Sequence, residues 1–251
     1  MAGPELDVAV IGDGPAGLAL AAACAKGGAR VLVVGPDRPW TATYATWVDD
    51  VPALPSSCFG ATAPSVVVHT TRRQVLERPY GVLDGGALCD HLGTDLDRLR
   101  TVAQGVQHFL WGSRVRVADG DHVDARLVVD AAGRGGQAGA LSPPAAWQSA
   151  YGVVVDVPPR RFDADRPTFM DLRSVGRTGG PPTFCYVVPV DDGWLVEETV
   201  LASREPVDPG WLADRLAVRL GADAPPRDRA AGRVEVVHIP MGGRLPSTHD
   251  P

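Results

Sequence analysis

Apolar residues run unbroken from Val8 to Ile11, the pattern of a strand buried on both faces. A glycine-rich turn follows. Pro15 suits the first turn of a helix reaching Ala25, and Gly27–Gly28 suit its C-terminal cap. Arg30 to Val34, apolar from Val31 on, predicts a second strand, completing a βαβ unit. From Pro36 to Ser65 the period lapses among Pro, Ser and Thr, which predicts a loop with short helical pieces. Ser65 to Thr71 predicts a strand, and "LDGGALCDHLGTDLDRL" (83–99) a helix that Gly85 and Gly86 weaken at its start. "GVQHF" and "SRVRVADGDHVDARLVVDAAG" predict strand, turn, strand, with Leu127 to Val129 a core strand ending at Asp130.

After Gly133 the pattern changes. "GRGGQAGALSPP" reads as a loop crossing. Ser149 to Val157, Thr183 to Val190 and Gly193 to Leu201 are extended stretches separated by turn signals such as Pro158–Pro159 and Asp191–Asp192–Gly193, the look of an antiparallel sheet. Pro209 to Gly221 has a helical period, with Leu212, Leu216 and Leu220 on one face, and "RVEVVHIPMGG" ends in a strand and turn. The expected division is a dinucleotide-binding domain over 1–145, with 45–72 partly contributing to the substrate side, and an antiparallel-sheet substrate domain over 146–251.

Composition narrows the picture. The chain has 251 residues, 45% hydrophobic and 22% charged, enough for a sizeable core. Net charge is −6 without a basic block, so nucleic acid is not an expected partner. Cys24, Cys58, Cys89 and Cys185 share no metal spacing and read as reduced thiols of a cytoplasmic protein; no metal site is expected. The longest apolar run, Ala16 to Ala25, is too short to span a bilayer.

Two stretches carry candidate chemistry. Gly12-x-Gly14-x-x-Gly17, with Pro15 and Ala16 opening the helix, has dinucleotide spacing. Gly12 permits the tight turn, Gly14 lets backbone approach a pyrophosphate, and Gly17 allows close helix–strand packing. The ribose-binding acid belongs at the end of the second strand, yet Gly35 stands there and the nearest acid beyond it is Asp37. Asp130 and Gly133 in "VVDAAG" favour a flavin over a nicotinamide. The second stretch is "GWLVEETVLASREP" (193–206), where Glu197 and Glu198 interrupt an apolar strand. Successive strand residues point to opposite faces, so one acid of the pair faces any given pocket, and alternation does not say which.

The chain resembles the FAD-dependent lycopene cyclases. The likeness runs through "DVAVIGDGPAGLALA", "VVGPDRPWTATYATWVDDV", "AWQSAYGVVVDV" with "FMDLR", "PTFCYVVPVDDGWLVEETVLASREP" and "IPMGGRLP". It departs from that family at Gly35, where Asp is usual, at Asp50, where Glu is commoner, and at Pro251, beyond which family members continue for about a third of their length. The resemblance implies an α/β flavoprotein with a Rossmann-type FAD-binding domain, a hydroxylase-like two-domain architecture and an incomplete antiparallel substrate domain.

The resemblance also implies a non-redox, acid-catalysed closure of the ends of lycopene by an intramolecular lyase or isomerase, at a membrane surface reached from the cytoplasm. FAD would be reduced, with NADPH as reductant. Glu197 would be the proton donor and Glu198 its tuning neighbour, while Asp50, with Asp49, would contact flavin, cap a helix or tune the donor. Trp47, Tyr151 and Tyr186 are aromatic candidates for steadying a cation, and Asp171 is expected to pair with Arg173. The alternatives are an NAD(P)H-dependent monooxygenase or isoprenoid reductase, and an inactive truncated fragment.

Overall fold

A computed structural model describes residues 4–133, 145–176, 179–224 and 233–241. In chain order its first elements are β1 (Leu6–Ile11), α1 (Pro15–Lys26), β2 (Val31–Gly35), β3 (Ala45–Trp47), β4 (Phe59–Ala63), β5 (Val66–His69), β6 (Arg73–Leu76) and β7 (Tyr80–Leu83). Then come α2 (Gly85–Gly93), β8 (Asp97–Arg100), β9 (Ala103–Phe109), β10 (Gly112–Val117) and β11 (His122–Asp130). The rest are β12 (Ala146–Val155), β13 (Thr168–Asp171), β14 (Phe184–Val190), β15 (Gly193–Ser203), α3 (Pro209–Leu220) and β16 (Val234–Met241). The crossing expected after Gly133 and the turn expected after Met241 lie outside the described residues.

The described residues form two compact units, one of 4–41 and 85–133, the other of 42–84, 145–176, 179–224 and 233–241. The first is built on a six-stranded sheet in the order β8-β2-β1-β11-β10-β9. Its first four strands are parallel, and β10 and β9 continue as an antiparallel meander. The central strand β1 is buried because both faces are covered. Val8 and Val10 pack with Leu18 and Ala21 of α1 and with Cys89 and Leu92 of α2, while Ala9 and Ile11 pack with Val115, Val117, Val123 and Ala125. That double burial accounts for the unbroken apolar run.

The second unit is a seven-stranded sheet, β16-β12-β15-β14-β13-β5-β6, with a three-stranded sheet, β3-β7-β4, on one face. Alternation divides the large sheet cleanly. Leu195, Val188 and Val154 join Tyr80 and Val82 of the small sheet, whereas Val196, Val187 and Cys185 meet Leu216 and Leu220 of α3. The helix is capped by Asp208, whose side chain accepts the Trp211 N–H at 2.8 Å.

Three local expectations are corrected. Residues 36–65 are not merely loop, since β3 and β4 lie there; their short strands become stable only by pairing with β7. The helix expected over 83–99 ends at Gly93: Asp95 takes a positive φ of 60°, and the chain returns as β8. Leu127 is 55% exposed and belongs to neither apolar cluster of this unit; the buried residues of β11 are Val123 and Ala125, ahead of it, while Val128 and Val129 are only partly buried.

The glycines of the first turn differ in what they tolerate. A Cβ on Gly17 would sit 2.0 Å from the Gly12 carbonyl oxygen, whereas one on Gly14 meets nothing within 4 Å. Gly17→Ala is therefore expected to lower stability by about 1–3 kcal/mol, and Gly14→Ala to change it by less than about 0.5 kcal/mol, read from urea unfolding midpoints.

Candidate active site

β15 lies between β12 and β14, well inside the large sheet, so neither of its adjacent acids sits on an edge. Their side chains part company there. Glu198 faces α3 and is fully buried. Arg219, also buried, meets it with two parallel hydrogen bonds, Nε to Oε2 at 2.6 Å and Nη2 to Oε1 at 2.9 Å. The same guanidinium donates from Nη1 to Asp171 at 3.3 Å and to the Arg173 carbonyl at 3.0 Å. Asp171 pairs with Arg173 at 2.7 Å, as its sequence position predicts, and Arg161 approaches it at 3.4 Å. Burial pushes the Asp171 carboxyl upward, but its arginine partners prevail and hold it below the usual range. This is a structural network.

Glu197 faces the small sheet. Its neighbours follow from strand register, because Gly152 of β12 is paired with both Glu197 and Glu235 of β16, and Tyr186 of β14 is the next partner of Glu197. One row across four strands therefore reads Glu235, Gly152, Glu197, Tyr186, all on one face. Gly152 keeps the space between the acids clear: a Cβ there would come 2.8 Å from Leu195 Cδ1 and 3.3 Å from Glu197 Cβ. Glu235 is held by Thr43, whose N–H and Oγ1–H donate to its two oxygens at 2.7 and 2.8 Å. Thr199 Oγ1–H donates to Glu197 at 2.8 Å. Burial drives the Glu197 carboxyl up to about 7, the Glu235 charge adds to the rise, and Thr199 opposes it.

Aromatic rings cover this face. Trp47, Tyr80 and Phe169 are in mutual contact at 4.9 to 5.4 Å between centroids, and the Tyr80 and Tyr186 hydroxyls share a 2.9 Å hydrogen bond. Burial pushes the Tyr186 phenol well up, with its hydroxyl neighbour and both glutamates adding to the effect.

Several expectations change here. Glu198, expected to neighbour the donor, points the other way and is bound by Arg219; the carboxylate whose charge raises Glu197 is Glu235. Tyr151 packs on the α3 side and leaves the aromatic set, which gains Tyr80 and Phe169. Asp50 and Asp49 are exposed and are both gripped by Arg78, which lies over the Trp47 ring at 4.7 Å. Their place is thus behind the aromatic cluster, steadying Trp47. The pairing of Glu235 with Glu197 was hidden from sequence because 38 positions separate them; a lone acid within "VEVV" was the available signal.

In the first unit the glycine turn meets the end of β11. A Cβ on Gly12 would lie 2.5 Å from the Ala131 carbonyl oxygen, the Ala131 N–H donates to the Ile11 carbonyl at 2.7 Å, and Asp130 accepts the Ala132 N–H at 3.0 Å. Asp130 and Gly133, with φ of 61°, thus shape the turn beside Gly12. Gly14 caps α1 without a side-chain hydrogen bond, followed by Pro15 and Ala16, so no side chain from the cap satisfies the first N–H groups of the helix, and the space beside the Gly14 Cα is clear. That cradle suits a pyrophosphate. Asp37 does not present a spare carboxylate, since Arg100 at 3.1 Å and Arg98 at 3.8 Å engage it.

Two measurements check the assignments on β15. Arg219→Met strands a buried carboxylate and is expected to cost about 3–5 kcal/mol in chemical unfolding, with much of that recovered when Glu198→Gln is added. Glu197 holds its proton in the folded state up to about pH 7, against 4.5 when exposed. Its stabilising contribution is therefore complete below about pH 4.5 and is lost as pH rises through about 7. The loss is about 3 kcal/mol at most, reduced by the partial exposure of the residue. Glu197→Gln should flatten the decline in melting temperature between pH 5 and 8.

Residues 7–250 match the family described as lycopene cyclase protein. The chain is 31% identical to the chloroplastic lycopene beta cyclase of an Oncidium hybrid over 97% of its own length and 56% of that protein's. It is 34% identical to an uncharacterized carotenoid cyclase of Deinococcus radiodurans over 96% of its own length and 61% of that protein's. It thus spans little more than half the length of these relatives. Solved structures share the fold at low identity. Klebsiella pneumoniae HpxO complexed with FAD and uric acid aligns with a TM-score of 0.63 at 16% identity, over 94% of this chain and 68% of that one. The halogenase PltM in complex with phloroglucinol and FAD aligns at 0.62 and 13%, over 94% and 60%. The fold is that of two-domain FAD enzymes, and the chain belongs to the lycopene cyclase family.

Proposed function

We propose that this chain carries the proton-donating site of a carotenoid cyclase that closes the open end groups of lycopene or a related acyclic carotenoid. The observation that carries the reading is Glu197: a carboxyl raised to about 7, facing an aromatic-lined layer, with a clamped carboxylate one glycine away. An alkene is a very weak base, so its proton donor must be a neutral acid at working pH and shielded from water. Glu197 meets the first requirement through burial and the Glu235 charge, and the overlying rings provide the second.

In the reaction Glu197 gives its proton to the terminal double bond of the polyene. The tertiary cation left on the neighbouring carbon is attacked by the internal alkene, which forms the ring bond. Loss of a proton from the ring restores a double bond, so the product is an isomer of the substrate and no electrons are gained or lost. The ionised Glu197 is a base on this face and can recover that proton. The rings of Trp47, Tyr80, Phe169 and Tyr186 offer electron-rich faces, each worth ~1–2 kcal/mol to a desolvated cation. Glu235, held by Thr43, keeps Glu197 protonated and opposes positive charge with its own negative charge.

FAD is the cofactor that this reading places on the turn of Gly12, Gly14 and Gly17, beside Asp130 and Gly133. The open cradle at Gly14 and the FAD complexes of similarly folded proteins support that placement. In its reduced, anionic form FAD supplies electrostatic stabilisation of positive charge without net redox change, and NADPH is the reductant the reading assigns. No helix among the described residues is long and apolar enough to cross a membrane. The reading has the carotenoid met by peripheral contact from the cytoplasm.

The test is conversion of lycopene in accumulating cells that express the protein. The wild type should turn the pigment from red to yellow-orange. Glu197→Gln should cut the rate by at least about a hundredfold, and Glu235→Gln should move the alkaline limb of the pH–rate profile downward. Undiminished turnover by Glu197→Gln would reject the donor assignment, and NADPH consumed one-for-one with product would reject an isomerisation.

A further inference from the structure

The first unit resolves the missing acid at the end of β2. In dinucleotide-binding folds a carboxylate at that place receives the ribose hydroxyls, yet β2 ends in Gly35. The space a side chain would occupy there is already filled. A Cβ on Gly35 would lie 2.3 Å from Cγ, 2.5 Å from Cβ and 2.6 Å from Oδ1 of Asp13. Asp13 comes from inside the glycine turn, between Gly12 and Gly14, and its carboxyl group reaches across to the end of the neighbouring strand.

It is fixed there at two points. Oδ2 accepts the Asp37 N–H at 2.6 Å, and the Asp13 carbonyl accepts the Trp40 indole N–H at 3.1 Å. Asp37 adopts a positive φ of 55°, which turns its N–H toward Asp13 while its own carboxylate goes to Arg98 and Arg100. Oδ1 of Asp13 accepts no hydrogen bond among the described residues. The half-buried Asp13 therefore presents one oriented carboxylate oxygen where the fold ordinarily presents the strand-end acid. Gly35 and Asp13 are sterically coupled: the carboxylate fits only because position 35 has no side chain.

We propose that Asp13 replaces the strand-end acid as the ribose-binding carboxylate, its position in the fold kept and its position in the chain exchanged with Gly35. The inference rests on the flavin reading above and deepens it, because it assigns recognition of the adenosine ribose to Asp13 and removes Asp37 from that role. It also requires that an acid at 35 be harmful while Asp13 is present and useful once Asp13 is gone.

The experiment measures FAD affinity of the purified protein by quenching of flavin fluorescence, with thermal melting of each apoprotein as the folding control. Asp13→Asn keeps the shape and an acceptor for the Asp37 N–H, and should bind FAD roughly 10- to 100-fold more weakly at an unchanged melting temperature. Gly35→Asp alone should weaken binding through the clash. Asp13→Gly combined with Gly35→Asp should return affinity to within about threefold of wild type, against the deficit of Asp13→Gly alone. Wild-type affinity in Asp13→Asn, or a double variant no tighter than Asp13→Gly, would overturn the assignment while leaving the flavin reading intact. A wild-type protein that takes up no FAD would overturn the flavin reading, and the assignment with it.

Discussion

A strand inside a sheet has no water to offer a charged side chain, and β15 carries two acids in succession. Everything in the second unit follows from how each is accommodated. Glu198 receives a full counter-ion, because Arg219 arrives from α3 in a fork geometry that matches both oxygens. Among the described residues, Glu197 receives only a threonine hydroxyl and the charge of another carboxylate. The same physical problem thus has two solutions one residue apart. A forked guanidinium offsets the burial of one acid, and the want of a counter-ion leaves burial to raise the pKa of the other.

The two solutions support each other. The Glu198–Arg219–Asp171 network ties α3 to β15 and β13, which fixes the strand whose opposite face presents Glu197. The aromatic layer is itself braced from outside by Arg78, held by Asp49 and Asp50 and laid over Trp47. Charged groups here act chiefly by holding the uncharged ones in place.

What sequence could reveal tracks the range of the interactions. The β1–α1–β2 unit was legible because its signals are local: an apolar run, three glycines at fixed offsets, and a proline at a helix start. The helix with Leu212, Leu216 and Leu220 inward was legible for the same reason, and the buried strands around residues 150, 187 and 196 showed by their apolar residues. The partner of Glu198 was less so, although Arg215 and Arg219 fall on the leucine face of α3, four residues apart, where a buried carboxylate could have been anticipated. Glu235 and Asp13 were not legible. One meets Glu197 through the register of three strands, and the other reaches the end of β2 only because the turn packs there. β3 and β4 were read as loop because their pairing with β7 is not written in their own residues.

The interleaving of the two units bears on how the chain is made. β1 leaves the ribosome well ahead of one of its flanking strands, β11, which is more than a hundred residues away, and the β13 neighbour of β5 follows at a similar distance. At ~5–20 residues per second of synthesis, the nascent polypeptide holds an apolar ribbon with an unfilled side for roughly ten seconds. Such a ribbon invites the attention of chaperones, and neither half can mature while its later strand remains untranslated.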